Sequence, residues 1–362
     1  MVSSKTNERS EVLGVQYLRF LAALCVVYFH TGVLDSGFAW PTYSGRDFGA
    51  CGVDLFFLIS GFVMMIATAG RRVLWSDFLM RRFERIAPFY WGATLTAVVA
   101  GALYPHAMFD NTLDLSHILL SLAFLPHANA TNGHISPFYG VGWTLNYEMY
   151  FYVVFAIFLA LKSPGRRVVA LVVWGLAATT FFLLVQPTTA IVRVYSNPAI
   201  LEFIAGAALG WAYWRGFFAR MPCFVASALF VGGMAVLLSN AVGEEERVYL
   251  QGTAAMATLA GALGFEAQQR IPRWRWALLL GDSTYAIYLV HPMVLTAFRI
   301  GARVAHLPVE RLSVGAPLVV AMTLACVGAG VFVHLAIERP MLDWFRRERL
   351  RVERKAALAA EV

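Results

Sequence analysis

Ten stretches of mostly apolar residues, each close to the ~20 that a helix needs to cross the hydrocarbon core of a bilayer, follow one another along the chain. They fall at 13–34, 50–70, 87–104, 141–161, 167–186, 197–215, 221–240, 248–265, 276–297 and 313–337. The fold class this predicts is all-α: a polytopic transmembrane helix bundle of about ten helices. Hydrophobic residues make up 59% of the chain and charged ones 14%. A soluble domain carries about 25% charged residues, so this chain has too few to cover a water-facing surface. The spans run almost end to end, so residues 1–340 read as one transmembrane domain and 341–362 as a charged, cytoplasmic C-terminal tail. A shorter apolar stretch, Leu113 to Leu125, is bracketed by Asp110, Asp114 and Pro126 and suits an interfacial or re-entrant piece. The first segment carries Arg19 and His30 and lacks a small-residue cleavage site, so it is expected to be a span and not a signal peptide.

Orientation follows from the basic residues, which collect on the cytoplasmic side. Of the 29 Lys and Arg residues, an N-in arrangement puts 22 in the inner segments and tail, six (Arg46, Arg193, Arg247, Arg299, Arg303, Arg311) in outer loops, and Arg19 inside the first helix. The topology expected is therefore N-in and C-in, in the inner (plasma) membrane, with multiple passes. The same asymmetry accounts for the net charge of +7 through contact with anionic lipid, with no nucleic-acid partner. Cys25, Cys51, Cys223 and Cys326 are scattered without CxxC spacing, so neither a disulfide framework nor a metal site is expected.

Ionisable side chains inside membrane helices are costly and mark function by default. Arg19 and His30 are eleven residues apart, three turns plus about 20°, so they share one face and are separated by roughly 16 Å along the axis. The second span begins outside at Gly49–Asp54, which puts Asp54 at a depth similar to His30. A carboxylate beside an imidazole fixes its tautomer and raises its basicity. Ser60 and Gly61 lie deeper, where a Gly permits close helix packing and a Ser commonly bonds to its own backbone. The fourth span opens with Trp143, Asn146, Tyr147, Glu148 and Tyr150. Its aromatic residues fit an interfacial belt or a ligand-facing surface equally well, whereas Glu148 needs a partner. In the ninth span His291 precedes Pro292, which frees a backbone carbonyl and kinks a helix. By depth alone, His30, Asp54, Glu148 and His291 converge on the outer half of the bundle.

A second group gathers at the inner face: Arg19, Arg81, Arg82, Arg85 and Arg339. Most fit the positive-inside pattern, yet Arg82 and Arg85, three residues apart, make a fork suited to phosphate. A basic inner mouth beneath an acid–base outer site points to a phosphate-bearing cytoplasmic molecule whose reactive end reaches up the bundle.

Four motifs in this order resemble a known family: Arg19 with His30; Gly52-Val53-Asp54-Leu55-Phe56-Phe57-Leu58-Ile59-Ser60-Gly61-Phe62; Arg82, Arg85-Ile86, Pro88 and Tyr90-Trp91; and Ser283, Tyr285, Ile287-Tyr288-Leu289 and His291-Pro292. Across nearly the whole chain they resemble the acyltransferase-3 family of integral membrane acyltransferases, closest to its exopolysaccharide O-acetyltransferases of the ExoZ type. Some members carry a fused extracytoplasmic esterase-like domain, which is not expected here. The resemblance implies acyl transfer, acetyl in particular, from cytoplasmic acetyl-CoA (acyl-CoA) to a hydroxyl of an exported or cell-surface glycan, without a metal. It makes His30 the catalytic histidine, Asp54 its partner, and Arg19, Arg82 and Arg85 the donor-binding residues. The depth argument adds Glu148 to the catalytic group. Trp143, Tyr150, His291 and Ser60 are read as substrate-binding. A pantetheine arm is about as long as the rise from Arg19 to His30, so phosphates on the inner arginines would bring the thioester to His30.

The alternative is a secondary transporter, which also places ionisable residues at mid-depth. Transporters usually show paired repeats and broken helices, and neither is evident here. A structural membrane protein would need neither a co-facial Arg and His nor carboxylates at matching depths.

Overall fold

The structure, a computed structural model, describes residues 12–33, 47–104, 113–129, 133–239, 244–309 and 312–360. Lys5, Arg9, Arg46, Asp110 and Arg311, which entered the sequence reading, lie outside the described residues. The described chain is helical, with one isolated β-bridge between Ala128 and Ile135. Its helices are α1 (Leu13–Val33), α2 (Cys51–Thr68), α3 (Trp75–Leu103), α4 (Leu115–Leu122), α5 (Trp143–Phe158), α6 (Pro164–Val185), α7 (Ala190–Tyr195), α8 (Ile200–Trp214), α9 (Cys223–Leu238), α10 (Glu244–Ala267), α11 (Arg275–Asp282), α12 (Thr284–Val304), α13 (Leu312–Val333) and α14 (Arg339–Ala360).

Every apolar segment corresponds to a helix, but among the described residues six helices are long and apolar enough to cross a membrane. α5 and α8, of 16 and 15 residues, are shorter than the ~20 a straight span needs. Each buries one face against its neighbours, with Phe151, Phe155 and Phe203 fully buried, while Val153 and Ile157 of α5 are exposed. The stretch expected at the interface is indeed too short to span: α4 has eight residues and is capped by Asp114, whose side chain accepts from the backbone N–H groups of Ser116 and His117.

Three boundaries differ in ways that shape the site. α3 starts at Trp75, twelve residues before the apolar run, so Arg81, Arg82 and Arg85 lie on a helix and not in a loop. The ninth segment is broken at Ser283 into α11 and α12. The Ser283 hydroxyl donates to Leu279 O at 2.7 Å, which also accepts the Ser283 backbone N–H, and the Thr284 hydroxyl donates to Gly281 O at 2.8 Å. Finally, α13 runs through one π-helical turn, His334–Glu338, directly into α14, so the expected boundary after residue 340 falls inside a continuous helix.

Helix contact in lipid depends on small residues that let backbones approach. At the crossing of α2 and α8, a Cβ on Gly61 would stand 1.9 Å from Phe203 O, and one on Gly206 would stand 1.8 Å from Leu58 O. Neither position has room for a side chain. α2 likewise descends antiparallel along α1: a Cβ on Gly49 would meet Cys25 O and Phe29, and one on Gly52 would meet Ala22 O and Val26.

Candidate functional site

A cavity of about 1490 Å³ opens at the basic end of the bundle. Residues of α1, α2, α3, α5, α11, α12 and α14 and of the π turn line it, including nine arginines (Arg19, Arg71, Arg72, Arg81, Arg82, Arg85, Arg339, Arg346 and Arg349) against four carboxylates (Asp77, Glu148, Asp282 and Glu353). Such a lining focuses positive potential into a low-dielectric space and favours a multiply charged anion. Arg82 and Arg85, one turn apart on α3, share a face as the spacing predicts. The Arg82 guanidinium lies 5.4 Å from the Phe78 ring centroid and 5.5 Å from that of Tyr152, which fixes its plane. Arg19 is held differently. Its Nη1 donates to Gln16 Oε1 at 2.9 Å, and Gln16 Nε2 donates to Asp282 Oδ1 at 2.8 Å. The break at Ser283 brings Asp282 into this chain.

At the closed end of the cavity stands Glu148. Its Oε1 accepts from the Ser60 hydroxyl at 2.8 Å and from Tyr152 OH at 2.5 Å. Ser60 therefore bonds across helices and not to its own backbone, and Glu148 belongs to the arginine-lined cavity.

His30 and His291 form a separate pair beyond that end. His30 Nδ1 is 2.9 Å from Val26 O and 3.3 Å from His291 Nε2, and the ring centroids are 4.9 Å apart. A carbonyl oxygen can only accept, so Nδ1 carries the proton and Nε2 keeps its lone pair. Tyr288 separates the pair from the cavity, which it lines; its ring lies 5.8 Å from that of His291, and its hydroxyl donates to Val141 O at 2.7 Å.

Gly52 lies opposite Ala22 and Val26, and Asp54 follows two residues further down α2. Asp54 is buried, 5% exposed, and the Val26 carbonyl accepts from His30 Nδ1. Tyr150 is not among the residues that line the cavity with Glu148. Two residues apart on a helix means opposite faces, and Tyr150 stacks on Tyr195 with centroids 4.0 Å apart and packs beside Trp174. Trp143 stays partly exposed and packs edge-on to Phe57 and Tyr147.

Sequence reasoning passed over several lining groups. Gln16 and Tyr152 are uncharged and gave no signal. Arg346 and Arg349 were assigned to a solvated tail. His334 and Glu338, four apart at the end of an apolar span, offered a signal that the depth argument did not use. Their side chains meet within the π turn, His334 Nδ1 lying 2.7 Å from Glu338 Oε2.

Comparison with known proteins defines the class. Residues 12–333 match the model of the acyltransferase domain, acyltransferase family 3, and the chain belongs to that family. It is a multi-pass membrane enzyme of acyl transfer, which displaces the transporter reading. The chain is 36% identical over 308 residues to the exopolysaccharide production protein ExoZ of Rhizobium meliloti (strain 1021), covering 83% of this chain and 92% of that one. It is 25% identical over 381 residues to the acyltransferase MdmB of Streptomyces mycarofaciens, covering 92% of each. No solved structure matches it.

Proposed function

We propose that this enzyme moves an acyl group, acetyl in the first instance, from cytoplasmic acyl-CoA to a hydroxyl of an exported or cell-surface glycan. It would do so in the inner membrane, with about ten helices crossing and both termini inside. The observation that carries the donor assignment is the cavity with nine arginines against four carboxylates at the basic end. A diphosphate and a 3′-phosphate are the charges such a lining matches, and the volume exceeds the few hundred Å³ of an ordinary ligand pocket. The name of the exopolysaccharide relative supports a glycan acceptor.

In this reading Arg82 and Arg85 grip phosphate, and Arg19, braced by Gln16 and Asp282, holds the donor deeper in. Glu148 with Ser60 lines the path of the thioester at the closed end. The thioester passes Tyr288 to reach the imidazole pair, and Trp143 faces the sugar. His30 Nε2 takes the proton of the attacking hydroxyl. The hydroxyl oxygen bonds to the thioester carbonyl carbon, the C–S bond breaks, and the proton passes from His30 to the departing thiolate. Alternatively, Nε2 attacks the thioester carbonyl carbon and the C–S bond breaks to release the thiolate; the hydroxyl then attacks the acyl-imidazole, the N–C bond breaks, and the hydroxyl proton goes to the thiolate. His291 stabilises the charge that develops on His30 in either route.

Membranes containing the enzyme, supplied with radiolabelled acetyl-CoA and the host's own glycan, should transfer label to the glycan with release of free CoA. The same membranes carrying His30→Ala should not. Label that stays on CoA with the wild-type enzyme and native glycan would overturn the proposal.

A further inference from the structure

An imidazole outside the His30–His291 pair, that of His334, lines the cavity. α13 is interrupted by a π turn, His334–Glu338, before α14 continues it. Such turns are rare and lie frequently at functional sites. His334 is 7% exposed and Glu338 fully buried. Nδ1 of His334 lies 2.7 Å from Glu338 Oε2, so a proton on Nδ1 is donated to the carboxylate. His334 lines the cavity, and its Nε2 edge is what remains for a ligand. Oε1 of Glu338 has no hydrogen-bond partner among the described residues, so the carboxylate spends its bonding on the imidazole.

The position within the cavity identifies what Nε2 would meet. Arg339, Arg346 and Arg349 follow on α14 toward the basic end and carry guanidinium donors suited to phosphate. His334 lies a turn or more deeper, between those arginines and the closed end at Glu148. A neutral imidazole with its proton on Nδ1 offers an acceptor at Nε2, in a lining otherwise dominated by guanidinium donors. The part of an acyl-CoA that lies between its phosphates and its thioester is the pantetheine arm, which carries amide N–H groups and a hydroxyl. We propose that His334, held by Glu338, is a positioning residue of the donor site that accepts a hydrogen bond from the pantetheine arm and so sets how far the thioester advances. The proposal rests on the acyl-CoA reading of the cavity.

Binding of CoA and of adenosine 3′,5′-bisphosphate to purified protein in nanodiscs tests it. The bisphosphate carries the 3′-phosphate and nucleoside of CoA without its pantetheine arm. In His334→Asn the side-chain amide can still donate to Glu338 from near the Nδ1 position, while the Nε2 acceptor is gone. Its CoA affinity should fall about three- to tenfold, the worth of one hydrogen bond, with bisphosphate affinity unchanged. His334→Gln, which puts a polar atom near the Nε2 position, should recover part of the loss. Equal losses for both ligands, or none for CoA, would overturn the proposal. Failure of the wild-type protein to bind either ligand would instead overturn the acyl-CoA reading beneath it.

Discussion

The reactive lone pair at His30 is set by a carbonyl of its own helix, 2.9 Å away at Val26. Removing the imidazole removes the group that handles the hydroxyl proton in the proposed chemistry. His30→Ala is therefore expected to lower acyl transfer by roughly 10²–10⁴-fold, with the protein still inserted, as read by label transfer and membrane fractionation. Asp54→Asn keeps the size of a buried side chain and removes its charge, and should cost on the order of 10²–10³ in rate. His291→Ala should also lower the rate, because it removes the group 3.3 Å from His30 Nδ1. A loss below tenfold for Asp54→Asn would take that carboxylate out of the catalytic group. Arg82 and Arg85 act in the bound and reacting states alike. Alanine at either should raise KM for acetyl-CoA about tenfold to a hundredfold, as expected for lost charge-assisted bonds, and change the saturated rate less. Steady-state kinetics at varied donor concentration separates the two effects.

Helix α2 carries both Asp54 and Ser60, and what sets its position is its crossing with α8. Backbone meets backbone there, so relief by rotating a side chain is not available. Gly206→Val, whose Cβ would lie 1.8 Å from Leu58 O, should cost at least the ~1–3 kcal/mol of ordinary overpacking. A lowered unfolding temperature in detergent, with activity lost in parallel, is the expected outcome; a variant as stable as wild type would mean that the helices cross differently. α14 belongs to the same scale. Arg349 pairs with Glu84 of α3, and Arg346 and Leu350 join it in the cavity wall. An ion pair with one partner a third exposed contributes little to stability. Arg349→Ala should therefore leave the unfolding temperature nearly unchanged while weakening acetyl-CoA binding.

Across the whole molecule, the charge distribution and the cavity make one statement about direction. The mouth of the cavity lies where the arginines gather, and basic segments stay on the cytoplasmic side. A reporter fused after Val362 should therefore be active if it requires the cytoplasm and inactive if it requires export. The opposite result would leave the cavity open to a compartment without acyl-CoA and would end the donor assignment.

Much of this was written in the sequence, because hydrophobic length and charge asymmetry are properties of local composition. The helical class, the arginine fork of Arg82 and Arg85, and the family motifs around His30 and His291 needed no tertiary contact to be read. Depth, read from position along each span, is only one coordinate of three. It could not separate Glu148, which bonds Ser60 and Tyr152, from the imidazole pair beyond Tyr288. Packing decided those distances, through glycines that set how far one helix slides along another. It also turned a charged C-terminal segment into a wall of the cavity, because a helix that continues unbroken through a π turn carries its arginines to wherever the preceding span points.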